Sequence, residues 1–562
     1  MRTPLIVLVL AYAISVLGFV LIPGLDDRGQ PWKMDFFHAF YFVSFMGSTI
    51  GFGEIPYPFT GGQRLWTLFT IYATVIAWLY AIGTLIALMQ SPLFRSAFAR
   101  STFESQVRKI RRPYYVICGY GDTGHLVVDA LIHMDVDCVV IDKDVDRINE
   151  LDLSDLPREV PRLHADASDT ESLSRAGIGR KLCKGVVAVT HNDDVNLKVS
   201  IASKLLNRDT IVYCWAENHD TGNNMASFGT DHIINPYDTF AAYLSTALTS
   251  PDRYLLYQLL SSPHDTPQIK RIDPPKGRWL LCGYGRFGKA VYKKLLEHGL
   301  PVTVIEFDLD TTGAPEGSIA GRGTEAETLL AAQVNKAVGI IAGTDNDVNN
   351  LSILITARVL NPGIFTIARQ QLSSNSGMFS AASLDLVTSS SSLVASQLLA
   401  RITTPMTTDF LSMASNQDEV WTRDLLKRIE HCTDSAIPEK WVVAPGYENA
   451  PAFLERWNKG ETVYLHHLLR EPTDRKQKLR CIALLLQRDG KEILLPGDKT
   501  VVELHDRILL AGSVDAVSKI GHILTSREIL HYTMTGQHLP ASLFLGWLMR
   551  KKTPTASSSG EP

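Results

Sequence analysis

Residues 114–124 read YYVICGYGDTG, and this stretch decides the fold of most of the chain. Its five apolar residues predict a buried strand, and a glycine-rich string follows directly. A helical pattern then runs to about Met134, and a second strand from Asp137 to Ile141 ends at Asp142. Strand, glycine turn, helix, strand and acid form the Rossmann fingerprint, with the acid 23 residues (142 − 119) beyond Gly119.

The glycines of this fingerprint permit a tight turn in which a pyrophosphate approaches a helix N-terminus. The acid, Asp142, is placed to accept hydrogen bonds from ribose hydroxyls. Asp122 would set a negative charge against such a pyrophosphate. A turn that needs glycine only for packing, and binds nothing, is therefore the alternative interpretation.

A second copy of the pattern begins at residues 279–288, WLLCGYGRFG. Its glycine string and its acid, Glu306, follow the first copy at an offset of 164 (283 − 119 and 306 − 142). Later matches, such as Thr190 with Thr344, have an offset of 154, so the second copy has lost about ten residues in between. The repeat predicts two Rossmann-like α/β halves with parallel sheets. Arg286 in the second loop could clamp a pyrophosphate, but we expect nucleotide binding more at the first copy, because Glu306 of the second is the bulkier acid.

The first hundred residues are of a different kind. Pro4 to Ile22 and Leu65 to Met89 contain no charged residue, and each is long enough to cross a bilayer as a helix. A cleaved signal peptide is the alternative for the first run, but the run is too long and no suitable cleavage site follows it. Basic residues cluster after the second run, which predicts that both termini face the cytoplasm.

Between the two spans lies a shorter apolar run, Phe36 to Gly47, which predicts a half-helix that re-enters the membrane. Residues 48–54, STIGFGE, follow it. Glycines at 51 and 53 allow positive φ at alternate residues, so successive carbonyl groups turn the same way. Several copies around one axis would replace the water shell of a cation with carbonyl oxygens.

The second span carries Gly83, a candidate flexing point whose alternative role is close helix packing. The dipeptide Ser91-Pro92 should end or kink that helix.

Composition excludes several other classes of protein. With 562 residues the chain is long enough for about three to five domains. Lys and Arg number 55 against 59 Asp and Glu, so there is no general attraction for nucleic acid. Seven cysteines without a CxxC pair indicate neither a disulfide scaffold nor a zinc site.

The string Thr-Ile-Gly-Phe-Gly resembles the potassium-channel signature, whose commonest form is Thr-Val-Gly-Tyr-Gly. Ile50 keeps the branched shape, Phe52 lacks the phenol that often braces the filter, and Glu54 stands where many members have Asp. Two Rossmann-like halves behind a two-span pore resemble the channels with RCK (regulator of K⁺ conductance) domains. That resemblance implies a homotetramer in the cell inner or plasma membrane, with eight RCK domains forming a cytoplasmic ring. It also implies K⁺ as the permeant ion and a nucleotide, NAD or ADP or ATP, as the regulatory ligand.

The resemblance carries roles over to particular residues. The selectivity filter would be Thr49, Ile50, Gly51, Phe52 and Gly53. The first nucleotide cradle would comprise Gly119, Tyr120, Gly121, Asp122, Thr123, Gly124, Asp142 and Lys143, bordered by Asp166 and Thr190. The second cradle would comprise Gly283, Gly285, Arg286, Gly288 and Glu306. Crossover helices are expected at Phe240 to Leu248 and at Leu393 to Ile402, and a small final sheet across residues 487–510.

The domain boundaries follow from these assignments. We expect the pore at 1–92, a linker at 93–112, the first RCK domain at 113–275, the second with its β-rich lobe at 276–537 and a tail at 538–562. Calcium is a further candidate ligand, because acid-rich strings at residues 142–146 and 306–310 carry hard oxygen donors. The alternative is that these strings are solvated strand-end loops. No set of metal ligands is identified, and the adjacent His466 and His467 do not share a helix face.

The function predicted from the sequence is a ligand-gated potassium channel without enzymatic activity. A membrane-anchored NAD(P)-dependent oxidoreductase would explain both fingerprints but not residues 49–54. A regulatory subunit of another K⁺ transporter is a third candidate.

Overall fold

The computed structural model describes residues 2–262, 269, 271–433 and 437–538. The chain divides after Lys109 into two units. Almost all of the tail predicted at 538–562 lies outside the described residues.

The first unit consists mainly of four helices. Its elements are α1 (Arg2–Leu21), β1 (Gly24–Leu25), β2 (Pro31–Trp32), α2 (Phe36–Gly47), α3 (Gly61–Gln90) and α4 (Pro92–Lys109). Helices α1 and α3 are long and apolar enough to span a membrane, and α2 is the predicted short apolar helix. Residues 93–112, predicted as a linker, are helical as far as Lys109.

Local sequence signals set the ends of these helices. Asp35 caps α2 by accepting the backbone N–H of His38 at 2.7 Å. Thr60 and Gln63 form a reciprocal capping box at the start of α3. Helix α3 ends at Gln90, so the predicted break at Ser91-Pro92 is confirmed.

Phenylalanine rings hold α1 and α2 together. Phe42 lies 4.9 Å from Phe19 and 4.8 Å from Phe59, measured between ring centroids. Other apolar side chains on α1 and α3 remain exposed, Leu65 at 71% and Leu79 at 66%. Because so much apolar surface is unfavourable in water, this unit requires lipid or further subunits around it.

The second unit begins with a six-stranded parallel sheet. Its elements are β3 (Tyr114–Cys118), α5 (Asp122–His133), β4 (Asp137–Asp142), α6 (Val145–Leu153), β5 (Arg162–His164), α7 (Thr170–Arg175), β6 (Cys183–Ala188), α8 (Asp193–Leu206), β7 (Ile211–Trp215), α9 (His219–Ser227), β8 (His232–Ile234), α10 (Pro236–Thr249) and α11 (Pro251–Ser261). The strand order is β5-β4-β3-β6-β7-β8, with the chain reversing direction across the sheet between β3 and β6. In such sheets ligands bind at this switch point, outside the carboxyl ends of the strands.

The second sheet repeats the first. Its elements are β9 (Trp279–Cys282), α12 (Arg286–Glu297), β10 (Val302–Glu306), α13 (Leu309–Thr312), β11 (Ile319–Ala320), α14 (Ala326–Ala331), β12 (Gly339–Ala342), α15 (Asp347–Leu360), β13 (Phe365–Gln370), α16 (Ser376–Ala381), β14 (Leu386–Ser389), α17 (Ser390–Thr403), α18 (Pro405–Ala414) and α19 (Glu419–Thr433). The order β11-β10-β9-β12-β13-β14 and the parallel pairing are those of the first sheet. The predicted internal repeat is therefore confirmed as two Rossmann-like halves.

The two halves exchange helices. From the first half, α10 places Phe240 and Leu244 in a core with Trp279 and Phe287 of the second. From the second half, α17 places Val394, Ala395 and Leu398 in a core with Ile117 and Val128 of the first. One face of each sheet is thus closed by the helix that follows the other sheet.

A small antiparallel sheet completes the unit. Its elements are β15 (Glu439–Val443), α20 (Pro451–Asn458), α21 (Leu465–Leu468), β16 (Cys481–Arg488), β17 (Lys491–Leu494), β18 (Arg507–Gly512), α22 (Val514–Thr525) and α23 (Arg527–Thr535). The strand order is β15-β18-β16-β17. Helices α11, α18 and α19 share a core with this sheet through Leu256, Phe410, Leu426 and Leu485. The small final sheet expected across residues 487–510 is present, with β16, β17 and β18 between Cys481 and Gly512.

Candidate functional site

The loop after α2 has an unusual backbone. Helix α2 stops because Ile50 and Thr49 donate their N–H groups to the carbonyls of Phe45 and Met46, at 2.9 and 3.0 Å. The backbone φ is then positive at every second residue, 61° at Thr49, 68° at Gly51 and 97° at Gly53. The left-handed backbone expected at the two glycines is present, and Thr49 shares it without being glycine.

An ion pair fastens the end of this loop to the start of α3. Glu54 contacts the Nε of Arg64 at 2.8 Å and accepts the backbone N–H of Phe59, also at 2.8 Å. The Arg64 hydrogen bond, with that of Phe59, holds the pKa of Glu54 below its usual value. The Glu54 carboxylate therefore fixes the end of the loop that leads into α3.

Gly83 lies in the middle of α3, which runs through it as one helix. Apart from its chain neighbours and the backbone of its own helix, a Cβ placed there would meet no described atom within 4 Å. Packing against the other described residues therefore does not explain the glycine.

The first glycine loop has the shape that the fingerprint requires. Gly119 has φ +102°, and a Cβ on Gly124 would lie 2.0 Å from the carbonyl oxygen of Gly119. Asp142 accepts the N–H of Tyr120 at 2.5 Å through one oxygen and that of Asp144 at 2.8 Å through the other. The buried carboxylate thus holds the loop against the end of β4, and each of its oxygens retains a lone pair for a further donor.

Two side chains that the sequence reasoning did not select also border this loop. Arg147, on α6, donates from Nη1 to the carbonyl of Tyr120 at 3.0 Å. The same Nη1 would lie 2.8 Å from a Cβ on Gly121, and the Nε2 of His191 3.4 Å from it. A cation therefore covers the position where a pyrophosphate would approach.

The remaining first-copy candidates lie at strand ends. Asp166, two residues beyond β5, accepts the N–H of Ser168 at 2.8 Å, and this hydrogen bond keeps the pKa of Asp166 below its usual value. Lys143 is exposed. Thr190 donates its hydroxyl to Asn196 at 2.7 Å, so that group is committed to the fold. Thr123 is buried, and its hydroxyl has no hydrogen-bond partner among the described residues.

The second loop repeats the arrangement. Glu306 accepts the N–H groups of Tyr284 and Asp308, as Asp142 does. A Cβ on Gly288 would lie 2.0 Å from the carbonyl oxygen of Gly283. A cavity of about 300 Å³ opens here, lined by Gly283, Gly285, Glu306, Phe307, Arg322 and Thr344 among others.

Arg322 changes the chemistry of the second cavity. Strand pairing sets Ala320 beside Glu306 as it sets His164 beside Asp142, so Arg322 takes the place of Asp166. Its guanidinium lies 4.7 Å from the ring centroid of Phe307. The sequence reasoning missed Arg322 because the offset between the copies changes in this region.

Each glycine loop also touches the opposite half. Asp122 accepts the backbone N–H of Ser373 at 3.1 Å. Arg286, its counterpart in the second loop, contacts Glu217 at 2.5 Å. Ser373 lies just beyond β13, and Glu217 lies just beyond β7. Each partner thus follows the fifth strand of its own half.

The acid-rich strings serve as helix caps. Asp144 accepts the N–H of Asp146 at 2.9 Å, and Asp308 that of Thr311 at 3.0 Å. Within the described ranges, no group of three or more His, Cys, Asp or Glu side chains is placed to hold a metal ion.

Comparison with known proteins divides the chain in the same way. The family described as "Ion channel" matches residues 5–91, and the family described as "TrkA-N domain" matches residues 115–236 and 279–390. "Potassium channel protein 1" of Methanocaldococcus jannaschii is 26% identical over 238 residues, which is 42% of this chain and 69% of that protein. "Voltage-gated potassium channel Kch" of Escherichia coli is 24% identical over 235 residues, 40% of this chain and 53% of that protein.

Among solved structures, the GsuK channel bound to NAD aligns with a TM-score of 0.46 and 14% identity, covering 92% of this chain and 97% of that one. GsuK bound to ADP aligns with a TM-score of 0.43 and 19% identity, covering 71% and 95%.

A pore region followed by two TrkA-N domains defines a membrane channel with a paired Rossmann-like region. Since its relatives are potassium channels, the chain belongs to the potassium channels with RCK domains, as the sequence predicted. It is thus a channel and not an enzyme, which removes the basis for the oxidoreductase alternative.

Proposed function

We propose that this potassium channel is a homotetramer whose selectivity filter is Thr49, Ile50, Gly51, Phe52 and Gly53. The observation that carries the proposal is the positive φ at residues 49, 51 and 53, which follows directly on the end of α2. Backbone carbonyls turned to one side replace the hydration shell of K⁺ when several loops surround one axis. One chain contributes one loop, so the filter requires further copies.

The membrane orientation is part of the proposal. Both termini would face the cytoplasm of the cell inner or plasma membrane, because the cations after α3 stay on the cytoplasmic side. Those that α4 and its end supply are Arg95, Arg100, Arg108, Lys109, Arg111 and Arg112. The pore would then occupy 1–92, the RCK domains 113–275 and 276–537, and eight of these domains would form a ring.

The regulatory ligand in this proposal is a nucleotide, NAD or ADP or ATP. The first cradle supports it through the loop shape at Gly119 and Gly124 and through the carboxylate of Asp142. Arg147 supplies the positive charge that offsets Asp122 near the pyrophosphate position. In the second cradle, Gly283 and Gly288 repeat the close approach of Gly119 and Gly124, and the Glu306 carboxylate repeats the contacts of Asp142. Gly285 and Arg286 complete the proposed cradle.

Gating would use the contacts between the two halves. A phosphate at the first loop would compete with Ser373 for the space beside Asp122, and one at the second loop would compete with Glu217 for Arg286. Ligand binding shifts a channel only to the extent that it prefers one geometry, typically by about 1–3 kcal/mol. Calcium is a second candidate ligand to test.

Bilayer recording of the purified protein tests the proposal. Under K⁺ and Na⁺ gradients we expect a K⁺-selective current that changes when NAD, NADH, ADP, ATP or Ca²⁺ is added to the cytoplasmic side. Gly53→Ala should abolish this current without affecting nucleotide affinity, because alanine resists φ +97°. Gly62→Ala is the matched control, since its Cβ would make an ordinary 3.6 Å contact with Ile22.

The possible results separate the alternatives. Current that passes Na⁺ as readily as K⁺ would contradict the filter assignment. Current that ignores every nucleotide would contradict the sensing role alone. A regulatory subunit would pass no K⁺ in liposomes without its transporter.

A further inference from the structure

A second enclosed space lies away from the glycine loops, where α10 and α11 of the first half meet α17 and α18 of the second. Its volume is about 150 Å³. Its lining includes Ala242, Tyr243, Arg253, Tyr254, Tyr257 and Gln397. No residue of either glycine loop lines it.

Three tyrosines form an aromatic wall that is fixed by its own hydrogen bonds. The ring of Tyr243 lies 4.8 Å from that of Tyr254 and 5.8 Å from that of Tyr257, between centroids. The Tyr243 hydroxyl donates to that of Tyr254 at 2.9 Å, and Gln258 Nε2 donates to both hydroxyls at 2.9 and 3.1 Å. Because both hydroxyls are already paired, the rings of Tyr243 and Tyr254 are held in place beside the cavity.

Arg253 introduces one charge into this surface. Its Nη2 donates to the carbonyl of Gln417 at 2.8 Å. Arg253 is half-buried, and among the described residues its guanidinium forms no ion pair and its buried Nε forms no hydrogen bond. A partly buried cation without a counter-ion is unfavourable, and an anion in the cavity would supply one to the guanidinium.

We propose that this cavity binds a small planar carboxylate, with its ring against the tyrosines and its carboxylate on Arg253. A protein cavity of about 150 Å³ accommodates a benzene-sized ring. An aromatic ring stacks well on tyrosine faces, and a carboxylate matches the donors of a guanidinium. This site is separate from the proposed nucleotide cradles and does not depend on them.

Calorimetric titration of the full-length purified protein with sodium benzoate tests the site. We expect saturable binding of one benzoate per chain, with weaker binding of acetate, which lacks the ring, and of benzyl alcohol, which lacks the charge. Arg253→Gln should weaken benzoate binding about tenfold or more, because a hydrogen bond to a charged group is lost.

A second variant distinguishes a blocked cavity from a misfolded protein. Ala242 is exposed and lines the cavity, so Ala242→Trp should fill it without disturbing a core. Ala331→Trp, at the exposed end of α14, is the matched control and should bind benzoate like the unmodified protein.

Absence of saturable benzoate heat would overturn the proposal. Full benzoate affinity in Ala242→Trp, or acetate binding as tight as benzoate binding, would overturn it equally.

Discussion

The two glycine cradles share a backbone but differ in charge at two positions. Asp122 in the first copy corresponds to Arg286 in the second, and Asp166 corresponds to Arg322. The bonds that hold the cradles are unchanged, since Asn196 and Asn350 make the same contacts to their neighbouring loops. The charge of the rim side chains thus differs in sign between the two copies, while the hydrogen bonds that hold each cradle are the same.

Replacing Asp142 with alanine should weaken nucleotide binding about tenfold or more and leave K⁺ over Na⁺ selectivity unchanged. The carboxylate both holds the loop at Tyr120 and offers acceptors to a ribose, and a hydrogen bond to a charged group contributes about 1.5–3 kcal/mol. Calorimetry with NAD and ADP measures the first effect, and reversal potentials measure the second. Asp418→Ala, which removes the acceptor for the Trp421 N–H at the start of α19, serves as the control. Unchanged nucleotide affinity in Asp142→Ala would show that the cradle is structural.

The small antiparallel sheet and its helices should lose stability in acid through His467. Burial and neighbouring cations lower the pKa of His467 from 6.5 to about 4. The unfolded chain therefore binds the proton first, so stability is complete above about pH 6.5 and falls as the pH drops toward 4. The slope is at most about 1.4 kcal/mol per pH unit. Hydrogen exchange at residues 481–488 between pH 7 and pH 4.5 measures it.

His467→Asn separates this effect from general acid damage. The asparagine keeps an acceptor near the N–H of Tyr464, which His467 Nδ1 accepts at 3.2 Å, but it does not titrate. We expect a flatter pH profile in the variant, and an identical profile would exclude His467 as the cause.

At single positions, the sequence predicted those site residues whose role is local. The glycines and Asp142 belong to one strand-turn-helix-strand pattern, and the structure places them together. Arg147 was missed because its contact with Tyr120 depends on how α6 packs back over the loop, and its residue type has no fixed place in the fingerprint.

At the level of helices, the two crossover segments were predicted within a few residues. Residues 240–248 lie in α10 and residues 393–402 lie in α17. Their exchange between the halves was not predicted, because an amphipathic pattern shows that a helix has an apolar face but not which sheet covers it.

Leu398 lies on α17, which belongs to the second half in sequence. Leu398→Ala should nevertheless destabilise the first half. Leu398 is 1% exposed and lies in the core of the first sheet, where truncation of a leucine costs about 2–5 kcal/mol. Hydrogen exchange should show lost protection at residues 114–118 and 137–142. Leu205→Ala on α8, 83% exposed, is the control and should change little. Loss confined to residues 279–282 and 339–342 would contradict the exchange.

Across the whole molecule, the sequence predicted both membrane helices and both sheets because their signals are long and periodic. It left open what covers the apolar faces of α1 and α3, since lipid and neighbouring subunits satisfy the same pattern. Within the first unit a groove of about 720 Å³ between α1, α2 and α3, lined by Leu17, Phe40 and Trp78, remains uncovered in one chain.

Expressed separately, residues 1–262 should not form a stable first half, because α17 is missing from its core. Co-expression with residues 271–562 should restore a complex that survives purification and binds nucleotide. Pull-down with a tag on one fragment and thermal unfolding of the product measure both effects. If the fragment 1–262 were as stable alone as in the complex, the exchanged helices would contribute little to folding.

The exchanged helices also constrain how the gene can change. A deletion that removed either half would strip the cover from the remaining sheet, so shortening the chain to one copy requires a compensating partner molecule. A substitution in α10 or α17 must also fit the core of the opposite sheet. The evolution of each half therefore depends on that of its neighbour. This constraint does not apply to the side chains at the rims of the two cradles. There the two copies are free to acquire different ligands.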